Sequence, residues 1–314
     1  MLNRTAICFL TMAMAGSMLG AALAAQQPAP PPPLVKENAT VKLSEHVYEI
    51  PDDSVPAVSN IGIIVGNRAT LVVDTGLGPR NGQTVLREVA KVSKNADLYL
   101  VTTHFHPEHA GGSSAFPPGA KFIVSRIEQK DIDELGLQMA ATFAGRTPLM
   151  AELLKDVQFR RPDILFDREY NLDLGGLRVR LLSVGPTHTR GDTTVFVEGD
   201  RVLFAGDVVM NHAFLAFGDY SSAKAWLAAF DQLEPLRPTT IVPSHGRVGD
   251  ASLIEQQRAV LKGLQSRVLE LKSQGQSADQ AVQMLTSEFQ AKNPDWTAPA
   301  RIGVAVRSIY AEAQ

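Results

Sequence analysis

The sequence predicts a mixed α/β fold, and three observations support it. Short β-branched segments alternate with helical segments from about residue 40 onward. A β-rich stretch followed by a strand–helix–strand unit occurs before residue 102, and a similar arrangement follows residue 177. Beyond residue 250 only helical periodicity remains. Together these features predict an α/β domain over residues 40–250, with C-terminal helices over 251–314 packed on the same domain.

The individual elements follow from hydrophobic periodicity and turn residues. In the first half, strands are expected at 47–50, 61–65, 71–73 and 98–101, with a helix at 80–93. In the second half, strands are expected at 177–184, 193–197, 201–205 and 240–242, with a helix at 223–233. No fixed-period repeat is present.

Two regions outside these units are helical. Residues 127–157 carry two helical patterns and form an insert, whose apolar residues either wall a substrate pocket or only pack: Leu137, Met139, Phe143, Leu149 and Met150. Near the C-terminus, Ser252-x-x-Glu255 and Ser277-x-x-Gln280 both match a capping box. One apolar stripe in this region is expected to join the core: Val260, Leu261, Leu264, Val268 and Leu271.

The N-terminus has the features of a secretory signal peptide over residues 1–25. Arg4 precedes an almost wholly apolar run at 6–23, and Ala22-Leu23-Ala24 fits the small-x-small cleavage pattern. A membrane anchor is the alternative, because such a run is just long enough to span a bilayer. Residues 26–39 follow as a Pro-rich linker, of which residues 26–34 are expected to be extended and unpacked. The sequence therefore predicts a periplasmic or secreted protein without a stable membrane anchor after cleavage.

Composition narrows the range of partners. The chain is 45% hydrophobic and 20% charged, with a formal net charge of −3. This balance offers no basic face for nucleic acid, so a small-molecule substrate is the expected partner. The single cysteine, Cys8, lies in the predicted signal peptide, so the mature chain has no thiolate ligand for a metal. The oligomeric state is not predicted.

The placement of the histidines carries most of the functional information. His104, His106 and His109 directly follow a predicted strand, and His188 and His245 follow two others. The ends of strands are where α/β scaffolds display functional groups. Imidazole nitrogen and carboxylate oxygen are ligands that zinc accepts when no thiolate is available. A metal site is therefore predicted; the alternative for the cluster alone is a solvated loop or an adventitious metal trap.

The segment His104-Phe-His106-Pro-Glu108-His109, followed by His188, Asp207 and His245, resembles the metallo-β-lactamase superfamily. The hallmark of that family is His-x-His-x-Asp-His after a strand, then a distant His, a bridging Asp and a final His. Asp74-Thr-Gly76 is similar to an early Asp-Thr-Gly segment of the family, in which the Asp supports the site without binding metal. The resemblance implies a four-layer αββα sandwich with metals in a cleft at one edge.

The resemblance also implies roles for individual residues. His104, His106 and His188 would bind a first metal, His109, His245 and Glu108 a second, and Asp207 would bridge the two. The cofactor implied is zinc, two ions per chain, although the ligand set also suits iron or manganese. A water between the metals would lose a proton near neutral pH and attack a carbonyl or phosphoryl centre. Glu108 and Asp207 are accordingly the predicted catalytic residues.

Position 108 departs from the family pattern, because it carries Glu where the motif has Asp. The extra methylene lengthens the reach of the carboxylate by roughly 1.5 Å. Three outcomes are open: a second metal bound with altered geometry, a weakened second site, or Glu108 acting as a general base.

The function expected from these features is metal-dependent hydrolysis of a small ester, lactone, thioester or amide. The alternatives are a β-lactamase, an iron-dependent enzyme similar to sulfur dioxygenases, and a non-catalytic metal-binding protein. Asp207 favours the ester, thioester, lactone and phosphodiester hydrolases of the family. His212 either lines the cleft or caps a loop, and Arg190 either meets an anionic substrate or faces solvent.

Overall fold

Two β-sheets face each other in the computed structural model, which describes residues 31–313. The predicted signal peptide and residues 26–30 of the predicted linker lie outside the described residues. The first sheet has seven strands in sequential order. They are β1 (Val41–Lys42), β2 (Val47–Ile50), β3 (Ile61–Val65), β4 (Ala69–Val73), β5 (Asp97–Val101), β6 (Lys121–Ser125) and β7 (Ile164–Phe166). The strands from β4 to β7 are parallel to one another, and the pairs before them are antiparallel.

The second sheet has five strands in the order β12-β11-β10-β9-β8. They are β8 (Glu169–Asp173), β9 (Arg178–Ser183), β10 (Thr193–Val197), β11 (Val202–Gly206) and β12 (Thr240–Pro243). The pair β11–β12 is parallel because helix α6 (Ala223–Leu233) forms the crossover between them. The remaining pairs are antiparallel.

The second sheet contributes to two hydrophobic cores, because the side chains of its strands alternate between its two faces. Val195 and Val197 of β10 pack between the sheets, while Phe196 packs on the opposite face. Successive side chains of a strand point to opposite faces, so a strand covered on both sides is apolar throughout. All five residues of β10 are indeed buried. The inter-sheet core also contains Ile64 and Val101 of the first sheet.

Helices cover both outer faces and complete the predicted four-layer αββα sandwich. On the first sheet lie α1 (Gly78–Val92), α2 (Pro107–Ala110), α3 (Arg126–Asp131), α4 (Leu137–Ala144) and α5 (Pro148–Leu153). A π-helical turn, Ile132–Gly136, joins α3 to α4. On the second sheet lie α6 and the C-terminal helices α7 (Ser252–Ser273), α8 (Ala278–Lys292) and α9 (Ala300–Glu312), which share one core with it. The fold class predicted from the sequence is thus confirmed, including the helical C-terminal region.

Several local expectations meet a different outcome. Strands β1, β6, β7 and β8 were not among the predicted elements. The expectation of an unpacked spacer over residues 26–34 is wrong for Pro33, which is buried and whose carbonyl accepts from Asn81 Nδ2 at 3.0 Å. Val35, later in the predicted linker, is also buried and donates its backbone N–H to Asn81 Oδ1. The Ser252 capping box is also wrong, because Ser252 is the first residue of α7 and does not cap it. The capping box of Ser277 and Gln280 is present.

The helical insert combines both of its expected roles. Phe143 and Met150 are buried in a small core under the insert, whereas Leu137 is exposed. Met139 and Phe143 also line a cleft, so part of the insert walls a pocket and part of it packs. The predicted apolar stripe of α7 is buried at Leu261, Leu264, Val268 and Leu271 and partly buried at Val260. Within residues 31–313, none of the helices has the length and apolarity needed to cross a membrane.

Candidate metal centre

The first group of predicted ligands lies just beyond β5. The strand ends at Val101, and α2 then begins at Pro107, whose fixed φ suits the first position of a helix. The one-turn helix carries Glu108 and His109 and is held by hydrogen bonds to its backbone. Ser59 Oγ donates to the carbonyl of Glu108 at 2.9 Å, and Thr75 Oγ1 donates to that of His109 at 2.6 Å. The motif is therefore anchored to the chain that precedes it.

The second sheet supplies the other predicted ligands from the ends of its strands. His188 lies in the loop between β9 and β10, and His245 directly follows β12. Asp207 follows Gly206, which adopts a left-handed backbone conformation with φ of 58°. Glycine adopts this conformation without steric cost, so it allows the sharp turn that presents Asp207.

The structure brings all of the predicted site residues together. Their ligand atoms form three overlapping groups. Within each group, all ligand atoms lie within 4.8 Å of one another. These groups are His104–His106–His188, His104–His109–Asp207 and Glu108–His109–His245. The residues that the sequence assigned to a first metal thus form one group, and those assigned to a second metal form another, with Asp207 between them.

The spacing of the first group fits zinc. His106 Nδ1 lies 3.2 Å from His104 Nε2 and 3.2 Å from His188 Nε2. Tetrahedral zinc with Zn–N distances of about 2.0–2.1 Å separates its nitrogen ligands by about 3.3 Å. His188 Nδ1 lies 2.5 Å from the carbonyl oxygen of Ala216, an arrangement in which Nδ1 carries the proton and donates it. Its Nε2 then presents a lone pair to the group.

Beside the first group lie three buried polar atoms that have no hydrogen-bond partner in the described part of the chain. Glu108 Oε2, His109 Nε2 and Asp207 Oδ1 make no hydrogen bond within residues 31–313. Unsatisfied buried polar atoms are rare because each costs about 1–3 kcal/mol, and more when the group is charged. Three of them converging on one region is the arrangement that a bound cation would satisfy. The residues present therefore fit a metal at this position.

Burial and charge set the ionisation of the first group. Burial lowers the pKa of His104 well below its usual value, and the neighbouring imidazoles of His109 and His106 lower it further. Burial also lowers the pKa of His106, followed by the charge of His188. These two rings are therefore neutral near pH 7, which is the form that binds a metal.

At His109 and Asp207, neighbouring charges outweigh the effect of burial on the pKa. Burial alone would lower the pKa of His109, but the carboxylate of Asp74 outweighs it and raises the pKa to about 9. Burial alone would raise the pKa of Asp207, but the charges of His245 and His188 outweigh it and hold the pKa well below its usual value. Asp207 is accordingly ionised and supplies the negative charge at the centre of the cluster.

Asp74 fixes His109 from behind. Its Oδ2 lies 2.9 Å from His109 Nδ1, and its Oδ1 accepts the backbone N–H of Thr103 at 2.7 Å. A carboxylate that accepts the Nδ1 proton leaves Nε2 free for a metal. We expect Asp74→Ala to weaken the affinity for the second metal about 10- to 100-fold, in the range measured when such supporting partners are removed. Competition with a chromogenic chelator measures this affinity, and unchanged affinity would contradict the supporting role.

Asp52 lies behind His245 and fixes the backbone next to it, a placement that no sequence pattern indicated. Asp52 Oδ2 lies 3.9 Å from His245 Nδ1 and accepts the backbone N–H of Gly246 at 2.9 Å. No motif in the sequence marks this pairing, since 193 positions separate the two residues along the chain. Burial raises the pKa of the nearby Glu49 to about 7, and the charge of Asp52 contributes to the shift.

The raised pKa of Glu49 implies that its ionisation destabilises the folded chain as pH rises. An acid whose pKa is higher in the folded chain destabilises it as pH rises from the unfolded value toward the folded one. Between the usual pKa of 4.5 for a glutamate and the folded value of about 7, the accumulated cost is about 3 kcal/mol. We therefore expect Glu49→Gln to stabilise the protein at about pH 8 and to have little effect at about pH 5. Urea unfolding of both proteins in chelator, which removes pH-dependent metal binding, tests this; equal stabilisation at both pH values would contradict it.

The remaining candidate residues lie apart from the cluster or are already paired. His212 is exposed and lies outside the cleft, so of its two predicted roles the loop position is the observed one. Arg190 forms ion pairs with Asp131 and Glu134 and stacks over the Tyr220 ring at 4.7 Å. It is therefore tied to protein carboxylates and does not point freely into the site.

The cluster opens into a cleft with a volume of about 520 Å³. His106, Glu108, His188, Asp207 and His245 line its floor. One wall comes from the π-helical turn and α4, and the other comes from the 217–220 loop. The cleft is large enough for a small organic molecule and gives it access to both groups of ligands.

Comparison with known proteins agrees with this arrangement. A linear primary-alkylsulfatase from Pseudomonas sp. is 23% identical over 208 residues, which are 56% of this chain and 39% of that protein. An acyl-coenzyme A thioesterase from Homo sapiens is 25% identical over 187 residues, which are 56% of this chain and 67% of the thioesterase. The chain thus spans well under half of the alkylsulfatase.

Among solved structures, a stereoselective inverting sec-alkylsulfatase from Pseudomonas sp. superimposes with a TM-score of 0.66 and 14% identity. The superposition covers 87% of this chain and 50% of that structure, and at this identity it shows a shared fold. The family described as the metallo-beta-lactamase superfamily matches residues 55–245, which include all seven residues of the cluster. This match covers more than half of the chain, and the chain therefore belongs to the metallo-beta-lactamase superfamily.

Proposed function

We propose that the chain is a dinuclear zinc hydrolase that cleaves a small ester or thioester. The observation that carries the proposal is the convergence of three buried atoms, Glu108 Oε2, His109 Nε2 and Asp207 Oδ1, which have no hydrogen-bond partner in the part of the chain that the structure describes. They lie beside a triangle of imidazole nitrogens spaced for zinc. The same groups open into a cleft of substrate size. A structural zinc site is closed, whereas a catalytic site keeps a position accessible to water and substrate.

In this proposal His104, His106 and His188 hold one zinc ion, and Glu108, His109 and His245 hold the other. Asp207 lies between them, with Oδ2 at 3.5 Å from His188 Nε2 and Oδ1 at 3.8 Å from His245 Nε2. Zinc in such a site acts as a Lewis acid and lowers the pKa of a water molecule toward neutrality.

The residues of the chain contribute order and charge to that chemistry. Asp74 and the carbonyl of Ala216 hold the His109 and His188 rings in one tautomer, so no reorientation is needed during the reaction. Asp207 stays ionised at neutral pH and compensates the positive charge of the centre. Phe105, Phe143 and Phe217 line the cleft and lower the local polarity, which strengthens the electrostatic interactions inside it.

An ester or thioester is favoured by two considerations. Asp207 provides a carboxylate at the position where the true β-lactamases of the family usually have Cys or Ser, and one of the similar proteins is named as a thioesterase. Hydrolysis of a lactone or amide would use the same attack on a carbonyl carbon. The alkylsulfatase relatives make a sulfate ester a further class for the assay.

Metal analysis and a substrate panel test the proposal together. The purified chain is analysed for bound metals and then assayed with chromogenic ester, thioester, lactone, β-lactam and alkyl sulfate substrates, with and without chelator. We expect close to two zinc ions per chain and ester or thioester turnover that chelator abolishes and added zinc restores. Turnover of only the β-lactam would replace the proposed substrate class, and one iron with no hydrolysis would favour a redox enzyme. Tightly bound zinc with no turnover of any substrate would favour a metal-binding protein.

We also propose that the protein acts in the periplasm or outside the cell, on the basis of the N-terminal sequence pattern. Intact mass measurement of the chain purified from separated cell fractions tests this. A mass that corresponds to removal of residues 1–25, found in the periplasm or medium, is the expected result. An uncleaved chain in the cytoplasm would contradict it.

A further inference from the structure

One wall of the cleft is a helical face on which three apolar side chains lie beside the polar side chains of Gln138 and Thr142. Its residues recur at spacings of three and four along the π-helical turn and α4, which places them on one side of the helix: Leu135, Gln138, Met139, Thr142 and Phe143. Phe217 and Tyr220 form the opposite wall. An apolar chain or ring can therefore lie between the two walls.

A guanidinium group lies in the same cleft and comes from a distant part of the chain. Arg301 is the second residue of α9, in the C-terminal helical region beyond the family match. Its Nη1 donates to the carbonyl of Phe214 at 3.1 Å, and the side chain lines the cleft together with Asp207. The half-buried side chain is thus held in place beside the metal centre.

The guanidinium of Arg301 has no carboxylate partner within 4.0 Å among residues 31–313, although the carboxylate of Asp207 lies close enough to interact with its charge. Among residues 31–313, Arg301 forms no ion pair, whereas Arg190 at the edge of the cleft pairs with both Asp131 and Glu134. A guanidinium presents several donors in a planar fork that matches a carboxylate, sulfate or phosphate. After one bond to Phe214, Arg301 retains donors for such an anion.

We propose that the substrate carries an anionic group, bound by Arg301, and an apolar chain or ring packed on the cleft face of α4. This inference rests on the proposed hydrolase function and adds the class of substrate: an anionic, partly apolar ester or thioester. The anionic group is a carboxylate, sulfate or phosphate. It lies either at the end of the molecule opposite the apolar part or beside the bond that is cleaved. Arg146, which stacks on the Phe143 ring at 3.5 Å, lies at the rim and is the competing anchor.

Direct binding separates the anion site from catalysis. Octane-1-sulfonate is titrated into the zinc-loaded full chain by calorimetry, with the neutral methyl octyl sulfone as the matched probe. A sulfonate is a weak base and a poor metal ligand, so it reports on Arg301. We expect the sulfonate to bind more tightly than the sulfone and Arg301→Gln to weaken its binding about 10- to 100-fold, the range for hydrogen bonds to charged groups. Sulfone binding should change less than about 2-fold.

Two variants serve as controls. Arg307→Gln removes a guanidinium from the same helix, where it pairs with Asp279 on the surface, and should bind the sulfonate as the wild type does. Arg146→Gln tests whether the guanidinium at the rim of the cleft, rather than Arg301, binds the anion. Equal affinity of wild type and Arg301→Gln for the sulfonate would overturn the inference, as would a loss confined to Arg146→Gln. Thermal unfolding of each variant checks that the fold is retained.

Turnover then links the site to the reaction. The assay compares the chromogenic monoester of glutaric acid, which carries a free carboxylate, with its neutral methyl-capped analogue. Arg301→Gln should lower kcat/KM for the acid about 10-fold or more and leave the neutral ester nearly unchanged. An unchanged ratio of the two substrates would overturn the assignment. If no substrate of the panel reacts but Arg301-dependent sulfonate binding persists, the hydrolase proposal fails and the anion site stands.

Discussion

Asp207→Ala is expected to lower kcat/KM for the hydrolysed substrate by about 10³-fold or more, a loss of about 4 kcal/mol of transition-state stabilisation. The physical reason is that Asp207 carries an ionised carboxylate between two groups of imidazoles, and its Oδ1 has no other partner in the described part of the chain. Without this carboxylate, the positive charge of bound metal would be uncompensated in a buried site. We therefore expect metal content to fall together with the rate.

Asp207→Asn separates charge from shape. The amide has almost the same size, so packing around Val208 and Val209 should be retained while the negative charge is lost. Asp219→Asn is the matched control, because Asp219 is an exposed carboxylate that lines the same cleft. Metal content by mass spectrometry and steady-state kinetics on the three variants give the measurement. If Asp207→Asn kept both metals and the full rate, the assigned role of Asp207 would be incorrect.

Glu108→Ala should lower metal stoichiometry from about two toward one and reduce turnover strongly. The side chain is only 7% exposed, and its Oε2 is unpartnered within residues 31–313, so the carboxylate has a defined position and no other function there. In the proposed second site, removal of this carboxylate leaves His109 and His245, together with Asp207, as the donors among the described residues. Metal in the group of His104, His106 and His188 should remain.

Glu108→Asp and His188→Ala complete the comparison. Aspartate keeps the charge with a shorter reach, and we expect it to retain two metals and most of the activity. His188→Ala should instead empty the first group, so the variants at positions 108 and 188 should lose different metals. Cobalt substitution distinguishes the two, because the visible spectrum of cobalt depends on its ligands. Retention of two metals and full rate in Glu108→Ala would falsify the assignment of Glu108 as a ligand.

The order of these ligands could be predicted because each follows a strand with a clear apolar pattern. Leu181 of β9, Val202 of β11 and Ile241 of β12 lie in short apolar runs, and polar residues that include the ligands follow each of these strands. Strand ends converge in an α/β fold, so spacing along the chain was sufficient to group the histidines.

Three of the four missed strands have weaker patterns for physical reasons, whereas β6 is apolar and buried. Strand β7 has only three residues and β1 only two, both at sheet edges. Strand β8 exposes Glu169 and Asp173, so its polar face resembles a loop. The Ser252 cap failed because Asp250 Oδ1 accepts the backbone N–H of Ser252 and the helix has already begun at that residue. Local competition of this kind is not visible in a four-residue pattern.

The groups that support the ligands could not be predicted because tertiary structure creates them. The carbonyl of Ala216 accepts from His188, and Asp52 lies behind His245, but neither has a sequence signal that distinguishes it from other loop residues. Arg301 enters the cleft from α9, beyond the family match. Such long-range contacts depend on how the C-terminal helices dock on the second sheet.

The distribution of ligands over both sheets has a mechanical consequence. His104 and His109 follow a strand of the first sheet, whereas His188, Asp207 and His245 follow strands of the second. Metal bound by both sets would act as a cross-link that closes the 104–245 loop in a chain with no cysteine beyond Cys8. A covalent cross-link over a loop of about 100 residues removes close to 5 kcal/mol of unfolded-state entropy. By mass action, the concentration of free metal would then set the free energy of unfolding of the sandwich as well as the occupancy of the cluster.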